Sequence, residues 1–203
     1  MRLSRARLAL LAIVALLALA GVAPATAAAK THRLGAGTAT FSLDPQLTGD
    51  LLQAGIAPYP IFPARISWGL SSVTLRMPVT GGTWTTGTAA HGTFLLTGGL
   101  AYVARGITNF IILNVKGWRA GVNTTPGISV SVNGTRTPNF LDEDLAGMTQ
   151  SIVTVHGQKF VKVTGVGLDF GATSANEIND AFDVALAPLD PFGTATFLAR
   201  LRS

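Results

Sequence analysis

Histidine, serine and paired acids are the residue types from which hydrolytic or metal chemistry is built, and this chain offers few of them at usable spacing. Its three histidines, His32, His91 and His156, stand alone. None has a second histidine or a carboxylate three or four residues away, the spacing that sets two ligands on one helix face. No serine sits in a Gly-x-Ser-x-Gly elbow; the nearest stretch, Gly127-Ile-Ser-Val-Ser131, alternates like an ordinary strand. Asp142-Glu143-Asp144, the one acidic cluster, lacks the glycine and alternate-position spacing of a calcium loop. It reads as a solvated turn, or as a cap for a brief helix near Leu145. Gly35-Ala-Gly-Thr-Ala-Thr40 lacks the third glycine and the preceding strand of a dinucleotide loop, and Gly165 to Gly171 reads as a strand. These spacings point away from catalysis and from a bound metal.

Aromatic rings are the remaining chemistry. Tyr59, Phe62, Trp68, Trp84, Tyr102 and Trp118 could line a groove for a flat or sugar-like ligand, because rings add contact area at low entropic cost. Trp84, within Thr83-Trp-Thr-Thr86, reads as the most exposed of them. His91, in Gly87-Thr-Ala-Ala-His-Gly92, is the histidine best placed to act as a ligand, whereas His156 reads as a solvated turn residue. The candidate ligand-binding set is therefore Tyr59, His91, Tyr102 and Trp84.

Composition narrows the class. The chain has no cysteine, which excludes a lipid-anchored lipobox, a disulfide framework, thiol catalysis and cysteine metal sites. Its first 27 residues combine basic Arg2, Arg5 and Arg7, an apolar run from Leu8 to Ala20, and a small-residue site ending Ala25-Thr26-Ala27. That order predicts a secretory leader cleaved after Ala27, or after Ala29, since the apolar run is shorter than a bilayer span. Losing those three arginines takes the formal charge from +5 to +2. The remaining cations are scattered along the sequence without a long basic run, so nucleic acid is not an expected partner. Residues 28–203 are expected to form a single extracytoplasmic domain that meets a membrane only through the leader, secreted or associated with the cell envelope.

The elements that would position these residues are short strands. Ala39, Phe41 and Leu43 alternate with Thr38, Thr40 and Ser42; Val73, Leu75 and Met77 with Thr74 and Arg76; Ile128, Val130 and Val132 with Ser129 and Ser131; Ala195, Phe197 and Ala199 with Thr194, Thr196 and Leu198. Asn133-Gly134 predicts a type I′ hairpin, Gly157-Gln158 a weaker one, and Ile107 to Val115 a buried strand. The count comes to about ten antiparallel strands in a β-sandwich or flattened barrel. Two short helices interrupt it. One is capped by Asp44 with Pro45 at its first position, and one starts from a Ser174/Glu177 capping box; each should lid an open end or edge. The segments 37–64 and 163–195 read as a strand-helix-loop repeat, Phe41-Ser-Leu-Asp44 and Ala57 to Phe62 being echoed by Val166-Gly-Leu-Asp169 and Ala187 to Phe192.

Several of these segments together resemble the HtaA family of haem-transport domains. They are Leu43-Asp44 with Leu51-Leu-Gln-Ala-Gly-Ile56, Pro63-Ala64, Met77 to Gly82, Gly92 to Leu100, Ile107 to Leu113, Val163 to Leu168, Glu177 to Phe182, and Gly193-Thr-Ala195. The resemblance implies a β-rich extracytoplasmic fold and haem held by a tyrosine that a histidine supports. No histidine stands at Thr97-Gly98-Gly99, where the family's glycine-flanked histidine would fall, and the family's Phe-x-x-Tyr signature has no clear counterpart. Tyr59, Tyr102 and His91 match by residue type only. The expected function is an exported, non-catalytic binding or cell-surface module, with haem as the candidate ligand. The alternatives are an extracytoplasmic polysaccharide hydrolase and a purely structural envelope protein.

Overall fold

Alternating apolar residues in this chain make strands that need two layers or a closed ring to bury one face each, and the chain closes a ring. The computed structural model describes residues 29–69, 72–87, 89–105, 110–124 and 127–202; the expected leader lies outside them, as do Ile107 to Asn109. The strands are β1 (Thr31–Leu43), β2 (Ile56–Ile61), β3 (Arg65–Trp68), β4 (Val73–Thr85), β5 (His91–Leu96), β6 (Gly99–Arg105), β7 (Phe110–Val122), β8 (Ile128–Val132), β9 (Thr135–Asp144), β10 (Thr149–Val155), β11 (Gln158–Phe170) and β12 (Pro191–Arg202). The helices are α1 (Pro45–Gln53) and α2 (Ala172–Phe182). Pairing runs β7-β5-β4-β1-β12-β11-β9-β8 and returns from β8 to β7, antiparallel throughout. The outcome is an eight-stranded barrel, with β2, β3, β6 and β10 extending its walls. The flattened barrel expected from the sequence is borne out, with twelve strands among the described residues instead of about ten.

Rings fill the interior. Phe41 lies 5.2 Å from Trp118 and 6.0 Å from Phe197, Phe197 stacks on Phe94 at 4.6 Å, and Phe192 meets both Trp118 and Phe170. All are buried. Each ring removed from water contributes roughly 1.5–3 kcal/mol before conformational entropy is set against it, and the centre of the barrel is packed instead of hollow.

The two ends differ. β1 ends at Leu43, opposite Gly193 at the start of β12, and β11 ends beside Pro191, so both helices emerge at the same end of the barrel. Asp44 caps α1 as expected, accepting from Leu47 N–H at 2.9 Å, and the helix stops where Gly55 takes φ +76°. The capping box expected at Ser174 and Glu177 does not form. Instead α2 begins at Ala172 after Gly171, Ser174 bonds back to the Gly171 carbonyl at 2.9 Å, and Glu177 accepts from Thr137 of β9 at 3.0 Å. Ala57 to Phe62 forms β2 and its turn, whereas Ala187 to Phe192 is a turn entering β12. The opposite end carries both termini of the described barrel, with Arg33 paired to Arg202.

Asn133 (φ 47°) and Gly134 (φ 93°) form the expected hairpin turn. The second hairpin turns one residue earlier than expected, on His156 (φ 48°) and Gly157 (φ 75°), because Val155 pairs with Gln158.

Candidate functional site

The four residues singled out by type are not brought together. Trp84 was expected to be exposed; it is fully buried, 5.7 Å from Phe94. The cause is a bulge between Val79 and Gly81, which lets Val79 and Trp84 both point inward although they stand five residues apart. Tyr102 is also in the core, and burial pushes its hydroxyl well above the ordinary tyrosine range, which opposes the ionisation an iron ligand needs. Tyr59, on β2, pairs with Ala101 while Tyr102 pairs with Pro58, so the two phenols face opposite sides of the same strand pair. Tyr59 is 55% exposed.

His91 is exposed and far from Tyr59. Its Nδ1 is 2.8 Å from the Ala89 carbonyl, a contact it makes as a donor, leaving Nε2 outward. It pairs with Thr85 at the termini end of the barrel. His32, opposite Trp84, and His156, in the turn before Gln158, stand at that same end. No described histidine is therefore at the helix end, where Tyr59 is. Among the described residues no three His, Asp or Glu side chains gather to hold a metal ion.

What the helix end does carry is exposed apolar surface. The exposed aromatics among the residues whose side chains are described lie in one short stretch of sequence: Tyr59, Phe62 at 90% exposure, and Trp68 at 54%. Leu52, on the outer face of α1, adds to it, while Leu47 and Leu51 anchor the helix inward. A groove of about 190 Å³ runs between α1 and the β3–β4 connection, with Pro45, Thr48 and Leu52 on one wall and Trp68, Ser72 and Val73 on the other. Gly49 opens it, since a methyl group there would meet nothing within 4 Å. Thr48 turns its hydroxyl to the Asp44 carbonyl at 2.8 Å, so the wall it offers is largely its methyl. Alternation and capping rules place α1 and β3 but say nothing of their separation, so the sequence could name Trp68 without revealing the groove beside it.

Glu143 departs from its expected role as a solvated turn residue. The acidic triplet forms the last residues of β9, and the Glu143 carboxylate is half-buried, accepting from the Asn123 N–H at 3.0 Å through Oε2 while Oε1 has no partner. Burial raises its pKa from 4.5 to about 7, against a smaller lowering by the Asn123 bond.

No family model and no curated protein matches the chain. Among solved structures, the C-terminal domain of HtaA from Corynebacterium glutamicum superposes with a TM-score of 0.53 at 11% identity, covering 84% of this chain and 99% of that one. The fold is similar to that of the HtaA domain. The heme binding protein HtaB of the same organism aligns at a TM-score of 0.41 and 12% identity over 86% of this chain and 97% of its own. The likeness to the HtaA domain is one of fold, and it bears out the β-rich architecture that the sequence resemblance implied. The tyrosine–histidine pair implied by that resemblance is not assembled from Tyr59, Tyr102 and His91.

Proposed function

We propose that this protein is an exported, non-catalytic module that binds a flat apolar ligand at its helix end, with haem the first ligand to test. The observation that carries the reading is the exposed Trp68 on the wall of the groove between α1 and β3–β4, with the exposed Tyr59 and Phe62 close before it in the chain. Water-exposed Phe and Trp rings confined to one stretch mark a binding surface more than chance placement does. At about 190 Å³ the groove is below the usual size of a small-molecule pocket, so it takes an edge of the ligand against Trp68. Tyr59 is the one exposed phenol available to iron. It would coordinate without histidine support.

Titrating residues 28–203 with hemin is expected to give a saturable Soret change. Gly49→Leu, whose Cβ would meet nothing within 4 Å, and Trp68→Ala should each weaken binding by roughly tenfold, the loss that follows from about 1.4 kcal/mol of contact. Tyr59→Phe should move the band itself. A flat titration ends the haem reading, and binding indifferent to Gly49→Leu and Trp68→Ala removes the groove.

A further inference from the structure

The end of the barrel that holds the described termini carries a cluster of cations. Of the ten acids in the chain, two cap or lie on α1, three end β9, Asp169 is near the end of β11, three lie on or cap α2, and Asp190 precedes β12. Most belong to the helix end, whereas Glu143 reaches Asn123, whose side chain bonds the Ala90 carbonyl next to His91. At the termini end stand Lys30, Arg33, Lys159, Arg200 and Arg202, and no carboxylate pairs with them among the described residues.

The fold presses these cations together. Arg33 and Arg202 sit directly opposite each other across β1 and β12, a like-charge pairing that costs stability. Gly35 leaves room for two guanidiniums, since Arg202 Nε and Arg200 Nε lie 2.9 and 3.3 Å from the point a Cβ there would occupy. Arg200 is steadied by Gln158 at 3.3 Å. Lys30, His32 and Lys159 complete a wide hollow of about 910 Å³. Beside it the β10–β11 hairpin tip presents Val155, 43% exposed, next to the basic residues.

We infer that the termini end is a docking face for an anionic phospholipid surface, which holds the domain with its helix end turned outward. Unpaired cations spread over a whole end, each worth about 1 kcal/mol near such a surface, suit a plane of headgroups better than a single small anion. The exposed Val155 adds an apolar contact that a free phosphate could not use.

The test is sedimentation of residues 28–203 with vesicles of phosphatidylcholine alone or with one third phosphatidylglycerol. Binding is expected only to the anionic vesicles, falling steeply between low salt and about 0.5 M as screening shortens. The double variant Lys159→Gln/Arg200→Gln should lower partitioning at least tenfold, while Arg65→Gln/Arg76→Gln, of identical net charge but placed toward the helix end, should leave it unchanged. Circular dichroism confirms that both doubles fold. No binding to anionic vesicles, equal loss in the two doubles, or displacement by inorganic phosphate at constant ionic strength would each overturn the proposal, the last by revealing a small-anion site.

Discussion

At the scale of single residues, Glu143 is the group whose environment has the clearest consequence. Its folded pKa, about 7, lies above the ordinary 4.5, so the native state holds a proton that the unfolded chain has already lost between those values. Its contribution to stability is therefore largest below about pH 4.5 and is lost as pH rises through 7. Allowing for partial access to solvent, the loss is on the order of 2 kcal/mol. Glu143→Gln keeps an oxygen for the Asn123 N–H and removes the charge. Urea unfolding at pH 4.5 and pH 8 should show the wild type losing stability between them and the variant losing much less. Asp169, raised by burial and then by Asp144 and Asp142, has the same sign and leaves a residual slope. An unchanged difference in the variant would mean the carboxylate is solvated after all.

At the scale of elements, the two helices start by different means and should respond oppositely to the same kind of substitution. Removing the α1 cap with Asp44→Ala should cost about 1 kcal/mol. Adding a capping side chain to α2 with Gly171→Asp should also destabilise, contrary to the usual benefit, because a Cβ there would stand 2.2 Å from the Asn139 carbonyl oxygen. Thermal unfolding of both variants checks this, and a stabilised Gly171→Asp would contradict the described packing. The same contrast marks what the sequence could reveal. Alternation in β1, β4, β8 and β12, the Asp44–Pro45 start and the Asn133–Gly134 turn are local rules, and each was legible. Bulges are not. The extra residue between Val79 and Gly81 changes no composition yet reverses which side chains face inward, and it moved Trp84 from expected surface to core. Gly171 starts α2 in a way no local rule reveals, because its role depends on Asn139 and Phe140 of β9, far away in sequence. The groove depends likewise on how α1 sits against β3 and β4, a distance no periodicity encodes.

At the scale of the whole molecule, closure of the ring by β1 and β12 brings the ends of the described chain side by side. Paired strands lie about 5 Å apart, so a linker of roughly five residues can join them. A circular permutant opened between Asn133 and Gly134, an exposed turn, is expected to fold with a melting temperature a few degrees below the parent and with hemin binding intact. Failure to fold would show that the β8–β9 hairpin, which the cut severs, must form early. The ring-filled interior bears on kinetics as well. Because Phe41, Phe94, Trp118 and Phe197 occupy the centre, a ligand bound at the proposed helix-end groove should come and go without the barrel breathing. Its residence time is then set by desolvation at an open surface, and deuterium should stay excluded from the barrel amides through many cycles of loading and release.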